Sequence, residues 1–467
     1  MLESNFFLPG VKDNDLKKII EEFGINNLEQ LKKAVKSKKI RQLKGFNSKI
    51  EMAILRGIKI IQDKPEYLPI GIALDYGKTL INQLRTWPGI SQVFLVGSLR
   101  RGVEEVNRIE ILLAATMNYS IEQLVELPMI TGGRIENRRV VLDSLLGLPI
   151  VLYFSDKNRW GLDLIKTTGS ANHLQALKLQ SNNLLHFDGE EEVYKQLGLP
   201  WIPPELRETG FEVQFAREGI LPKLVDISDI KGDLHIHSRW SDGANTIEEI
   251  IQKGISIGYE YLAITDHSQS LKIAGGLSPA DLSTQIKEID RLKVKYPQIQ
   301  ILKGIEVDIL EDGSLDFQDD ILEKMDVVIG SIHSHFHMSK VEMTERIIKG
   351  LKHPLVNILA HPTGRVLGKR PGYSVDIEKV IQIAAHYKKI LEINASPDRL
   401  DLRDKHLQFA RTKGVRIAIN TDAHSIDRMS DMAFGVQTAK RGWQTSQEII
   451  NSWSYEEIKA YFQKNRR

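Results

Sequence analysis

The 467-residue chain contains no cysteine. That absence excludes zinc–thiolate sites, disulfides and a cysteine nucleophile, and it suits a cytoplasmic location. An excess of either charge is missing too. Lys and Arg number 63 against 61 Asp and Glu, a formal net charge of +2, which neither demands nor excludes a nucleic-acid partner. No apolar run approaches the roughly 20 residues that a bilayer-spanning helix needs, so no membrane role is expected. The start, MLESNFFLPGVKDND, lacks the basic-then-apolar pattern of a signal peptide. Repeats and low-complexity tracts are likewise missing. What remains is a chain long enough for two or more domains, each with its own core.

The carboxy-terminal half holds nine residues able to bind a divalent metal: His235, His237, Asp242, His267, Glu306, His333, His361, Asp422 and His424. Most of them stand where an apolar run ends. The runs read GDLHIH, YEYLAITDH, IQILKGIE, MDVVIGSIH, VNILAHP, KILEINA and VRIAINTDAH, each followed by a helix-like stretch. Seven strand-then-helix units in a row predict a parallel sheet, most economically a closed barrel. In such barrels the chemistry lies at the carboxyl ends of the strands, where the loops converge. Six of the seven runs deliver a ligand type there, and KILEINA alone does not. His235 and His237 alternate along a strand and so point to one side, and Asp422 and His424 repeat that spacing. The pattern predicts a metal-dependent hydrolase. His335 and His337 read as loop histidines near the mouth.

Three regions separate by pattern: short basic helices over 1–62, an α+β region over 66–225, and the barrel over 230–467. In the first, Leu8-Pro9-Gly10-Val11 and Leu43-Lys44-Gly45-Phe46 sit between helical stretches, with Lys12, Lys44 and Lys49 nearby. Glycine turns at helix amino termini expose N–H groups to phosphate oxygens. The pair predicts tandem helix-hairpin-helix elements that hold DNA backbone without reading bases.

In the second region Gly97 and Ser98 end an apolar strand, and Arg100 and Arg101 follow. A nucleotidyltransferase fold cradles a triphosphate with this pattern. Such folds also need two aspartates one residue apart on the next strand, and a third on a neighbouring strand, for two magnesium ions. The next strand here, Val106 to Leu112, has Glu110 as its only acid, and Arg108 stands where one metal would sit. The stretch Leu148 to Tyr153 has no carboxylate. A nucleotidyltransferase shell without its metal centre is therefore expected.

Taken in chain order, GSLRRG, TTGSANH, LGLPWIPPELRE, GDLHIHSRWSDG, AITDHS, IAGGLSP, GIEVDILEDGSLDF, SIHS, HPTGR, EINASPDRLDL and NTDAHS resemble bacterial family X DNA polymerases with a carboxy-terminal PHP (polymerase and histidinol phosphatase) domain. The resemblance implies a multidomain α/β protein: a helix-hairpin-helix region, an α+β nucleotidyltransferase-like palm, and a PHP domain built as a distorted (βα)7 TIM-like barrel. It implies that His235, His237, Glu306 and Asp422 hold a first metal. Glu306 would bridge to a second held by His333 and His361, while Asp242, His267 and His424 hold a third. Nitrogen and carboxylate ligands suit Mn2+ or Zn2+, up to three ions. The expected catalytic residues are Glu306, Asp422 and Arg365, with Arg365 and Arg399 neutralising charge on the phosphate. Gly97, Ser98, Arg100 and Arg101 are the expected nucleotide-binding residues.

The departures from the family pattern carry as much information. Gly-Asp-Ile-Asp is replaced by Asn107-Arg108-Ile109-Glu110, and the third aspartate by Val151. His173 of TGSANH is kept, but Leu174 follows where asparagine is expected. Lys12 replaces the second glycine of the first hairpin, and Asn47 stands in the second. The amino-terminal lyase-type domain is expected to be absent. The favoured function is a metal-dependent DNA phosphoesterase, a 3′-to-5′ exonuclease or end-processing enzyme at primer ends, gaps or damaged 3′ ends, with an inactive polymerase domain. Three alternatives stand beside it: a residual DNA polymerase using Glu110, a histidinol-phosphatase-like enzyme for small molecules, and a non-enzymatic DNA-end scaffold.

Overall fold

The computed structural model describes residues 7–11, 13–43, 46–115, 119–127, 129–137, 139–179 and 187–466. Lys12, Lys44 and Gly45 of the two hairpin turns lie outside these residues, as does the Lys49 side chain. The chain divides into two compact units, Met1–Leu221 and Pro222–Arg467.

The first unit opens with helices Asp13–Phe23, Leu28–Lys36 and Ser48–Asp63. Asn27 starts the second of them by accepting from the Gln30 N–H, which satisfies a donor the helix leaves unpaired. Their apolar stripes close over Leu16, Ile19, Leu31, Val35, Ile54 and Ile58. Leu8 and Val11 of the first turn join that core, and Gly10 supplies the positive φ, 76°, that the turn requires.

Seven strands follow: β1 (Leu68–Pro69), β2 (Ile90–Val96), β3 (Glu105–Val106), β4 (Ile109–Ala115), β5 (Ile130–Glu136), β6 (Arg139–Ser144) and β7 (Pro149–Ser155). β1 pairs with β3, and the rest form one sheet in the order β2-β4-β7-β6-β5. β4 and β7 run parallel, with Glu110 directly beside Val151, while the other neighbours are antiparallel. A helix over Ile70–Leu84 and short ones over Gly97–Arg100 and Ile121–Val125 lie among these strands in the chain, and the helices Trp160–Thr168, Ala171–Leu177, Glu190–Gln196 and Phe211–Arg217 follow them.

The second unit holds β8 (Gly232–Ile236), β9 (Tyr261–Ile264), β10 (Gln300–Asp308), β11 (Val327–Ser331), β12 (Ile358–Leu359), β13 (Ile390–Asn394) and β14 (Ile417–Asn420). They form one parallel sheet in chain order. Its first and last strands meet through a bridge between Ile236 and Ala423, and the His237 N–H donates to Ala423 O at 2.9 Å. This is the expected seven-unit barrel, nearly closed. Helices cover its outside, so the strands are buried on both faces, which is why they read as unbroken apolar runs. Capping boxes at Thr246, Ser278 and Ser339 start three of those helices where the chain leaves a loop.

Alternate residues face inward. Val327 and Ile329 join the interior cluster, while Val328 joins the outer one. Ile458 and Phe462 of the helix Tyr455–Asn465 also belong to the interior cluster. Asn451 bonds to the amino ends of the strands: Lys231 N–H donates to Asn451 O at 2.8 Å, and Asn451 Nδ2 donates to Gly232 O at 3.0 Å. The carboxyl ends are left to carry the functional side chains.

Candidate metal centre

All nine ligand-type residues predicted from the sequence come to the carboxyl ends of the barrel strands. His235 and His237 leave β8, and their Nε2 atoms face each other at 3.1 Å. His237 Nε2 lies 3.0 Å from Asp422 Oδ1 and 3.5 Å from Glu306 Oε2. His235 Nε2 lies 3.5 Å from Glu306 Oε2 and 3.7 Å from Asp422 Oδ1. Glu306, near the end of β10, is the hub. Its Oε1 stands 3.1 Å from His361 Nε2 and 3.4 Å from His333 Nε2, and its Oε2 stands 2.8 Å from His267 Nδ1. Asp242 Oδ1 reaches His424 Nε2 at 3.1 Å and His267 Nε2 at 3.5 Å.

Three groups have ligand atoms within 4.8 Å of one another: His235, His237 and Asp422; His267, Glu306 and His333; and His237, Asp242, His267 and His424. Their make-up differs in four places from the partition that the family resemblance implies: Glu306 is not in the first group, His361 is not grouped with Glu306 and His333, and two histidines are shared between groups. His237 also faces Asp242, and His267 also faces Glu306.

The donor set fits divalent ions. Glu306 Oε2 and His267 Nδ1 approach to 2.8 Å, yet neither has a partner of hydrogen-bond geometry. His237 Nδ1, His361 Nδ1 and His424 Nε2 are likewise buried without such a partner. Burying polar atoms without partners costs roughly 1–3 kcal/mol each, so an interior that gathers this many around one point is built for something else to bind them. Two facing imidazole nitrogens beside two carboxylate oxygens are such an arrangement.

The electrostatics agree. Burial disfavours charge on His235, but Glu392, Glu306 and Asp422 outweigh it and hold the ring well above the usual imidazole range. Asp422 and Glu306 are held well below the carboxylate range because the facing imidazoles overcome their burial. His237 goes the other way: burial, then the charges of His424 and His267, push it well below. Ionised Asp422 and Glu306 and neutral His237 are in their ligating forms, while His235 holds a proton against those carboxylates that an ion bound there would displace.

The backbone is shaped to the task. His361 and Asp422 adopt positive φ, 27° and 51°, a region that costs non-glycine residues energy and recurs at functional sites.

Residues that the sequence reading overlooked orient the ligands. KILEINA, the run with no ligand at its carboxyl end, contributes Glu392. Its Oε1 accepts from His235 Nδ1 at 2.8 Å and Asn420 Nδ2 at 2.9 Å, and its Oε2 accepts from the His361 N–H at 2.8 Å. Asp308 accepts from His333 Nδ1 at 2.7 Å. Asn394 Nδ2 donates to Asp422 Oδ2 at 2.9 Å. Asp266 gathers Ser238, Ser241 and Gln285 beneath the first loop. The available signal was period 2: Asp308 lies two residues from Glu306, and Asn394 two from Glu392, so each pair shares a face.

Arg365 is buried and donates Nη2 to Leu400 O, joining two loops. Arg399 is the cation at the cluster, its Nε 3.9 Å from Asp422 Oδ2. His335 is exposed, 3.6 Å from Glu311, and His337 is exposed beside it.

In the first unit the predicted nucleotide cradle is occupied by its own side chains. Glu110 lies over Gly97, where an added Cβ would collide with its carboxylate. Arg108 Nε sits 3.2 Å from Glu110 Oε2, and Tyr153 OH donates to Oε1 at 2.9 Å. Arg100 binds Glu190 through two bonds of 2.7 and 2.8 Å. Arg101 binds Glu208 at 2.9 Å, and its Nη2 reaches Ser98 Oγ at 3.4 Å. Glu190 also takes two bonds from the buried Arg207. His173 is buried between Glu212 at 2.7 Å and Tyr194 OH at 2.9 Å. Among the described residues, no group of three ligand-type side chains forms in this unit.

A parallel barrel with histidines and carboxylates gathered at its mouth defines a metallohydrolase-like domain, and the family model of the PHP domain matches residues 233–396. The model of the DNA polymerase beta thumb matches residues 158–208. The chain is 37% identical over 486 residues to the DNA polymerase/3'-5' exonuclease PolX of Bacillus subtilis (strain 168), covering 98% of this chain and 84% of that protein. A probable phosphatase of Thermoanaerobacter sp. (strain X514) is 30% identical over 246 residues, 50% of this chain and 95% of the relative. The histidinol phosphate phosphatase of Lactococcus lactis subsp. lactis Il1403, solved with zinc, L-histidinol and phosphate, is 18% identical. It covers 45% of this chain and 93% of that one at a TM-score of 0.35, too slight a likeness to carry a detail of the site. The chain belongs to the bacterial PolX family, whose members join family X polymerase domains to a PHP domain.

Proposed function

We propose that this protein is a divalent-metal phosphoesterase acting on DNA, in the first place a 3′-to-5′ exonuclease, and that its polymerase domain is inactive. One observation carries the metal reading. The Nε2 atoms of His235 and His237 face each other at 3.1 Å beside Asp422 and Glu306, and the buried Glu306 Oε2 among them has no hydrogen-bond partner. We assign His235, His237, Glu306 and Asp422 to one ion, Glu306, His333 and His361 to a second, and Asp242, His267 and His424 to a third. Mn2+ and Zn2+ suit these nitrogen and oxygen donors. When bound, such ions supply Lewis-acid charge at a phosphate oxygen and make a water more acidic.

The chain's own groups do the rest. Glu392 and Asp308 fix which nitrogen of His235 and His333 carries the proton and so aim the other nitrogen inward. Asn394 orients Asp422. Arg399, rather than the buried Arg365, is placed to meet charge growing on the phosphate. Substrate class is inferred from the rest of the chain. Residues 1–62 are read as a DNA-holding hairpin region, 66–225 as the degenerate polymerase part, and 230–467 as the PHP barrel; a small-molecule phosphatase would leave the first two unexplained. No membrane role is proposed; no helix among the described residues is long and apolar enough to cross a membrane.

The test is a metal-stripped, Mn2+-resupplied protein on a 5′-labelled primer–template, with and without dNTPs, beside Asp422→Ala. Stepwise shortening that drops by about 10³-fold or more in the variant, with no extension, is expected, because removing a ligand from a preorganised charged site costs at least several kcal/mol. Primer extension that survives Asp422→Ala would overturn the inactive-polymerase reading.

A further inference from the structure

The loops that leave the carboxyl ends of β11, β12 and β13 carry Phe336, Arg370 and Arg399, the last beside the ligand cluster. The last two loops are fastened together. Thr363 N–H donates to Asp401 Oδ2 at 3.0 Å, Leu367 N–H donates to Asp398 O at 2.7 Å, and Arg365 donates to Leu400 O. Arg370 is held within its own loop and against that of Phe336. Its Nε and Nη2 both donate to Gly364 O, at 3.0 and 2.6 Å, and its guanidinium lies 4.2 Å from the centre of the Phe336 ring. Phe336 in turn stacks on the buried Tyr373, with centroids 6.2 Å apart and planes 6° from parallel.

Among the described residues, no carboxylate forms an ion pair with Arg370. Burial lowers its pKa first, the positive charge of Arg399 lowers it further, and Tyr373 opposes them more weakly. The Leu367–Asp398 bond joins the two loops three residues from Arg370 and one from Arg399, and two guanidiniums carried on loops fastened in this way form a site for anions. Arg399 lies against the cluster, beside Asp422. Arg370, on the neighbouring loop and still half-buried, offers an Nη1 edge that makes no hydrogen bond among the described residues.

We propose that Arg370 binds the phosphate adjacent to the scissile one, so that Arg399 and Arg370 together span two consecutive phosphates of a polynucleotide strand. This rests on the reading of the barrel as a DNA phosphoesterase and adds a subsite that a substrate with a single phosphate does not use. It also gives Phe336 and Tyr373 a role, as the apolar bracket that keeps the guanidinium extended.

The experiment compares wild type, Arg370→Met and Arg370→Lys in the full Mn2+-supplied chain. The substrates are a 5′-labelled trinucleotide and bis(p-nitrophenyl) phosphate. Arg370→Met is expected to raise the trinucleotide KM about tenfold, the size of one charge-assisted hydrogen bond, and roughly fivefold more than it raises the KM of the small ester. Arg370→Lys should recover part of that loss. Binding of a fluorescein-labelled trinucleotide to the metal-free chain, read by anisotropy across salt concentrations, should lose about 0.7 from its log–log slope in Arg370→Met. An unchanged trinucleotide KM, or a parallel rise on both substrates, overturns the subsite. A wild type that hydrolyses the small ester and leaves the trinucleotide intact sinks the DNA reading of the barrel, and this inference with it.

Discussion

The barrel mouth and the five-stranded sheet of the first unit, read above as a palm, both collect charged side chains around strand ends, but they leave those charges in opposite conditions. In the palm, Glu110 is taken by Arg108 and Tyr153, and Arg100 and Arg101 are taken by Glu190 and Glu208. In the barrel, Glu306 faces five imidazoles, and several of the buried nitrogens around it have no hydrogen-bond partner. A charge that is paired inside the fold contributes to folding. A charge left waiting for a ligand contributes to binding. Substitutions in the two regions should therefore be read out by different measurements, stability for the first unit and metal affinity for the second.

The largest stability effect is expected at Glu190. It is buried, and although burial alone would raise its pKa, the hydrogen bonds and charges of Arg207 and Arg100 bring it from 4.5 down to about 2. A displacement of that size corresponds to about 3 kcal/mol in favour of the folded state. Glu190→Gln should destabilise the first unit by about that much at pH 7, seen as a lowered calorimetric transition. Because the folded pKa lies below the ordinary one, the contribution is complete above about pH 4.5 and fades as the pH falls toward 2. The gap between wild type and variant should accordingly narrow at pH 3. A gap that stays constant with pH would mean that packing, not the ion pairs, holds this cluster.

In the barrel the matching experiment is Glu392→Gln. The carboxylate accepts three bonds, two of which orient His235 and the His361 backbone. An amide presents one oxygen and one NH2, so at least one of the three donors meets a donor. Removing an outer-shell partner of a metal ligand typically weakens binding 10–100-fold, so Mn2+ affinity measured against a chromophoric chelator should fall by about that factor. Equal affinity in variant and wild type would assign Glu392 to folding alone and blur the contrast between the two regions.

How much of this was legible from the residues differs between the regions for a physical reason. The barrel announced itself because fully buried parallel strands read as apolar runs, and because ligands at strand ends interrupt them with His, Asp and Glu. Glu392 escaped notice because it lies inside its run rather than at the end, although a carboxylate within a buried strand must find partners. The roles of Arg365 and Arg399 were not separable either: both stand in loops, and only the packing of Arg365 onto Leu400 buries one and leaves the other beside Asp422. In the palm, the missing aspartates were plain at 107–110 and 151. That Glu190 and Glu208, some 90 and 107 residues away along the chain, would neutralise Arg100 and Arg101 was not, since such pairings exist only after folding.

The smallest expected effect tests whether Arg108 is a lesion or a lock. Its guanidinium is about half exposed and meets Glu110 at 3.2 Å. An ion pair so open to water is worth about 0–1 kcal/mol, so Arg108→Ala should shift the melting transition little and leave Mn2+-dependent shortening of a primer at its wild-type rate. If Arg108 were a lock on a working site, its removal would free Glu110 and allow Mg2+-dependent extension. That outcome is not expected, because Tyr153 keeps its bond to Glu110 and Val151 offers no oxygen beside it. One carboxylate cannot replace the three that two octahedral magnesium ions require in such a fold. Extension by Arg108→Ala would show a third ligand outside this strand pair, and the palm would then be a gated site instead of an internally neutralised one.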